Sequence, residues 1–178
     1  MKTRMLVSAA LLALVSLPAH VAVLDAQPNV FVVESTATTK AAPAAVYRAL
    51  IRVSKWWDPA HTWSGSAKNL SLDARAGGCF CEKLEGGGAV QHARVIWAQP
   101  GKKMKLEGAF GPLQDMAVDA LLSFALEPDG AGTKIKLTFR SSGAFTMDSA
   151  KLAPGVDFVL SGQLKRLAAF ADGAIPGK

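Results

Sequence analysis

The sequence predicts an α+β domain in which a curved antiparallel sheet of about seven strands wraps a long C-terminal helix, with one or two short helices after the first strand. Three observations predict it: a β-branched run near the start, a long middle stretch whose hydrophobic period is two, and a return to helical period only near the end.

Val30 to Thr39, VFVVESTATT, reads as the first strand because β-branched residues suit a pleated surface. Pro43 suits a first helical turn, and Val46, Leu50, Val53 and Trp57 recur at steps of four, three and four, which places them on one helical face. Asp58-Pro59 is expected to end that helix, since the residue before proline is pushed out of the helical region. His61 to Lys68 reads as a loop or a short second helix. Six strands then follow at Asn69–Ala74, Gly78–Leu84, Ala89–Ala98, Lys102–Phe110, Ala117–Glu127 and Thr133–Ser142, separated by Gly- and Pro-containing turns. Such short connections imply antiparallel neighbours. Lys103, Lys105 and Glu107 alternate with Met104, Leu106 and Gly108, and Lys134, Lys136 and Arg140 with Ile135, Leu137 and Phe139, so each strand has one wet and one dry face. Pro154 to Asp172 supplies the cover: Val156, Val159, Gln163, Leu164, Leu167 and Phe170 share one helical face. Gly173 and Pro176 end the chain. No internal repeat or second domain is visible.

The stretch PAAVYRAL at 43–50, the Trp56-Trp57-Asp58-Pro59 helix end, GGCFCE at 77–82, the Val95 to Pro100 segment and the Gly108 to Leu113 bend resemble the SRPBCC superfamily. This is the helix-grip fold shared with START lipid-transfer domains and the birch pollen allergen. The chain is similar in particular to its bacterial branch described as activators of the heat-shock ATPase or polyketide cyclases. The resemblance covers about residues 30 to 172. It implies the fold and a cavity between sheet and C-terminal helix; it does not imply one activity, because folds host many functions.

Composition supports one folded domain. Half of the 178 residues are hydrophobic and 19% are charged, too apolar a mixture for a disordered chain. Lys2 and Arg4 precede thirteen uncharged residues, Met5 to Leu17, before Pro18, which is the pattern of a secretory signal peptide. Thirteen residues fall short of the roughly 20 that span a bilayer. A leader at 1–26 with small residues at Ala19, Ala22 and Ala26 would leave one domain at 27–178, with 18 basic and 13 acidic residues and a balance of +5 in place of +6. The expected location is periplasmic or secreted, and the expected state a monomer.

Trp56, Trp57, His61 and Trp63 crowd the end of the first helix. They read either as rings lining an apolar ligand site, with His61 or an indole N–H orienting a polar end, or as a plug between helix and sheet. Cys79 and Cys81 lie two apart on a strand and so share a face. Three readings stay open: free thiols lining the cavity, a disulfide at the upper limit of reach, or a metal site with His92 set opposite Cys81 in register. No metal and no cofactor is expected. Glu82, Glu85, Asp115 and Asp119 show no motif spacing, and no nucleophile stands beside a base. His61, His92 and Glu82 are the polar groups a proton-transfer reaction would use, and the catalytic residues are otherwise unknown. Neither GxGxxG nor GxxxxGK lies between a strand and a helix, which excludes most nucleotide enzymes. Lys102, Lys103, Lys105, Lys134, Lys136 and Arg140 read as a solvated stripe with at most weak attraction to anionic lipid. Nucleic acid is not expected, because the aromatic Phe139 falls on the opposite face.

The expected function is an exported protein that binds a small hydrophobic or amphipathic molecule, with Trp56, Trp57, His61, Trp63, Cys81, His92, Met104, Leu106, Phe124, Phe139 and Gln163 at the site. The alternatives are a cyclase- or dehydratase-like enzyme and, against the sense of the export signal, an ATPase-activating co-chaperone.

Overall fold

A computed structural model describes residues 21–175. The element order is β1 (Val21–Gln27), β2 (Val30–Thr39), α1 (Pro43–Leu50), β3 (Leu70–Leu72), β4 (Cys79–Lys83), β5 (Ala89–Gln99), β6 (Lys103–Glu107), β7 (Ala117–Asp129), β8 (Gly132–Ala144) and α2 (Ser149–Ala171). The strands form one antiparallel sheet in the order β1-β2-β8-β7-β6-β5-β4-β3, with the long β7–β8 hairpin at its centre. This is the helix-grip α+β fold, with α2 held against the sheet's inner face.

Period two decides which side chains face α2. Phe31 and Val33 of β2, Leu122 and Phe124 of β7, and Ile135, Leu137 and Phe139 of β8 are all buried, as are Ala153, Leu160, Leu164 and Leu167 on the facing side of α2. Lys134, Lys136 and Arg140 point outward, and Lys136 pairs with Glu34 at 2.8 Å across the β2–β8 ladder.

One strand is added to the expected sheet of about seven, and three expectations need correction. The sheet has eight strands, the additional one being β1 on residues the sequence reading gives to the leader; residues 1–20 of that leader lie outside the described residues. The first helix stops at Leu50 instead of running to Trp57. Arg52 takes a non-helical conformation, and the Trp56 indole N–H donates back to the Ala49 and Leu50 carbonyls at 3.0 and 3.2 Å. A tertiary donor thus replaces the next helical turn. The last helix begins at Ser149, five residues before Pro154, because Asp148 caps it by accepting from the Ala150 N–H at 2.9 Å. Pro154 therefore sits in the second turn. Finally, an aromatic does lie among the outward cations: Trp97, 49% exposed, has the Lys103 and Lys105 ammonium groups each 5.7 Å from its ring centroid. A bulge between Val95 and Trp97 turns it outward, which strict alternation does not foresee.

Candidate functional site

The core is filled toward one end of α2 and hollow toward the other. Leu164 and Leu167 pack solidly, whereas Leu152, Gly155, Val156, Val159 and Leu160 border a cavity of about 440 Å³. Its far wall is Phe80 of β4, His92 of β5 and Phe139 of β8. Two connections complete it: the segment from Trp57 to Trp63, and Phe110 to Leu113. The lining is almost wholly apolar, and the aromatic wall is continuous, with Phe80 ring centroids 5.4 Å from Trp57, 5.2 Å from His92 and 6.3 Å from Phe110.

The connections are held by specific hydrogen bonds. The Trp57 indole donates to the His61 carbonyl at 2.9 Å and closes that loop, while Trp63 donates to Gln114 Oε1 at 2.9 Å and Gln114 donates on to the Gln91 carbonyl at 3.1 Å. Gln163 and Arg166 of α2 fix the start of the segment. Gln163 Oε1 accepts from the Asp58 N–H at 2.9 Å, and Arg166 Nε donates to the Trp56 carbonyl at 2.8 Å.

One polar pair interrupts the apolar wall. Glu82 is fully buried and His92 nearly so, with His92 Nε2 2.9 Å from Glu82 Oε2. The Trp63 and Ser64 backbone amides also donate to the carboxylate, at 3.1 and 2.5 Å. Burial pushes the Glu82 carboxyl up, but donation by Ser64, Trp63 and His92 outweighs it and holds the group below the usual glutamic acid range. An ionised carboxylate only accepts, so Nε2 carries the proton toward Glu82 and Nδ1 is the ring's uncommitted hydrogen-bonding atom. The arrangement can orient a ligand's polar group or hold a base in a fixed tautomer.

His92 reaches this place through a bulge. Phe80 pairs with Ala93 and Cys81 with Gln91, so His92 is the extra residue of β5, and both His92 and Ala93 face inward. The expected register set Cys81 opposite His92 on one face. The bulge instead leaves Cys79 and Cys81 on the outer face, away from the cavity, and the metal reading fails with it. Among the three thiol readings the structure holds the disulfide: Cys79 and Cys81 are bonded, with Cα atoms 5.4 Å apart. That is shorter than the roughly 6.4–6.8 Å that two extended residues span.

Of the residues expected at the site, Trp57, His61, Trp63, His92 and Phe139 border the cavity. Trp56 is buried as the cap of α1, Gln163 anchors Asp58, Cys81 is outside, and Met104, Leu106 and Phe124 are solid core beneath the sheet's other end. Phe80, Phe110, Leu113, Leu152 and Leu160 border the cavity unforeseen. A second buried acid, Asp157 of α2, was also unforeseen; Ser35 donates to it at 3.4 Å. Burial pushes its carboxyl up, and the Ser35 bond only partly offsets this.

No protein-family profile and no curated protein sequence matches the chain. Solved structures do match in fold. CalU16 from Micromonospora echinospora superposes with a TM-score of 0.60 at 16% identity, over 89% of this chain and 86% of its own. The Mll3558 protein from Rhizobium loti gives 0.55 at 26% identity, over 78% and 97%. Ara h 8.0201 gives 0.59 at 14% identity, over 82% and 99%. The chain thus shares the helix-grip architecture of these proteins, which is an SRPBCC-like fold. Identities this low define the architecture and leave the ligand to the cavity itself.

Proposed function

We propose that this is an exported binding protein whose cavity takes one small hydrophobic or amphipathic molecule. The observation that carries the reading is an apolar cavity of about 440 Å³ with the buried His92 imidazole in its wall, held from behind by Glu82. Ligand sites commonly have about this size and this economy of polar groups. The apolar body would lie against Phe80, Phe110 and Phe139, and one polar group would meet His92. The uncharged run Met5–Leu17 behind Lys2 and Arg4 supports export, and the pairing of β1 with β2 favours a cut after Ala19 over Ala22 or Ala26, since it keeps Val21–Gln27 in the sheet. Native mass spectrometry of the purified protein tests the reading: a bound small molecule released on unfolding supports it, and failure to bind any of a set of fatty, isoprenoid and polycyclic aromatic compounds sinks it.

The His92–Glu82 pair favours a second reading, a cyclase- or dehydratase-like enzyme in which His92 moves a proton on the bound compound while Glu82 fixes its tautomer. It requires that a bound compound be chemically changed by the wild type and returned intact by His92→Gln.

A further inference from the structure

The Cys79–Cys81 bond lies outside the cavity, yet the backbone it ties together forms the cavity wall. Phe80, the one residue between the cysteines, points inward and borders the cavity, and Glu82, the next residue along, holds His92. Directly across the ladder is the bulge that turns His92 inward. The two features fit each other: β4 is drawn in, with its Cα atoms 5.4 Å apart, where β5 carries an extra residue. Neither cysteine is buried, and β4 is flanked on one side only by the three-residue edge strand β3. A bond that closes so short a loop gains less from chain entropy than one that closes a long loop.

We propose that Cys79–Cys81 is a thiol-exchange site for a dithiol reductant, and that its closed state keeps His92 on the cavity side. In the exchange a reductant thiolate attacks one protein sulfur, forming a mixed disulfide and expelling the other sulfur as a thiolate that takes up a proton. The reductant's second thiolate then attacks its own sulfur in the mixed disulfide, releasing the second protein thiol and leaving the reductant as a cyclic disulfide. Two electrons and two protons pass to the protein, and the reverse reaction restores the bond. Opening it lets β4 relax toward extended spacing. One-to-one pairing with β5 then puts residues 91, 93 and 95 on one face and turns His92 to the other. Glu82 loses a donor and the cavity loses its polar group. The consequence for ligands rests on the binding reading above; the exchange itself does not.

The test uses the whole folded protein with and without dithiothreitol, followed by iodoacetamide and by proton NMR. The expected result is alkylation of both cysteines only after reduction, loss of the cross-peak between the His92 and Phe80 rings, whose centroids lie 5.2 Å apart, and recovery of both on reoxidation. Affinity for an anilinonaphthalene dye should fall about fivefold on reduction, and Cys79→Ser/Cys81→Ser should match the reduced protein and ignore dithiothreitol. A disulfide that resists reduction in the folded state overturns the proposal, as does reduction that leaves the ring contact or the dye affinity unchanged. A dye that binds neither form counts against the ligand-binding reading alone, because alkylation and the ring contact are read without it.

Discussion

Glu82 is buried as an ion, and three donors make that tolerable: two backbone amides and one imidazole. Its folded-state pKa is lowered, so its contribution to stability is full above the ordinary carboxyl range and is lost as pH falls through the lowered value. Asp157 has the opposite sign. Its raised pKa means that stability falls as pH climbs from the ordinary aspartate range through the raised value. Urea unfolding across pH should therefore show Glu82→Gln destabilised near neutrality with the gap closing in acid, and Asp157→Asn stabilised near neutrality with its gain vanishing in acid. His61, His92 and Glu82 are legible in the sequence as candidate polar groups. Their pairing is not, because a single extra residue in β5 puts His92 on the face opposite Cys81.

The strands are largely readable at the level of elements, since alternation along β2, β7 and β8 is long and regular and short turns force them to be neighbours. Boundaries set by tertiary contacts are not readable in this way. Nothing local to Leu50 announces that the Trp56 indole will take the place of another turn of α1. Trp56→Phe keeps a buried ring but leaves the Leu50 carbonyl without a donor, while the Ala49 carbonyl keeps the Arg52 N–H at 3.0 Å, and chemical denaturation should show a loss of about 1–3 kcal/mol. The bulge has its own structural requirement. A Cβ on Gly108 would stand 2.5 Å from the His92 carbonyl oxygen and 2.7 Å from Ala93 Cα, at a φ of 156° that side chains rarely adopt. Gly108→Ala should cost on the order of 3 kcal/mol and displace His92, seen as a changed imidazole NMR signal.

Across the whole molecule, the helix-grip architecture follows from the long C-terminal helix facing a curved sheet, and both were visible as periodicity. The place of the cavity is legible in the sequence, its lining only in part: Trp57, His61, Trp63, His92 and Phe139 are, Phe80, Phe110 and Leu113 are not. Periodicity says which residues face inward; it does not say that α2 packs tightly at Leu164 and Leu167 while the stretch from Leu152 to Leu160, tied to β2 through Asp157 and Ser35, borders a cavity on its other side. The N-terminal edge makes a separate prediction: on the export proposed above, sequencing of the mature chain should find a start at or before Val21, because a cut after Ala26 would strip β1 from β2.

Titration of the protein with an apolar fluorescent dye, repeated on Val159→Trp, tests the central claim most directly. Val159 borders the cavity from α2, so an indole there fills it while the packed half of the core stays intact. One saturable site is expected in the wild type, and loss of binding in a variant that keeps its circular dichroism spectrum. Absence of binding in the wild type, or equal binding by the two folded proteins, would contradict it.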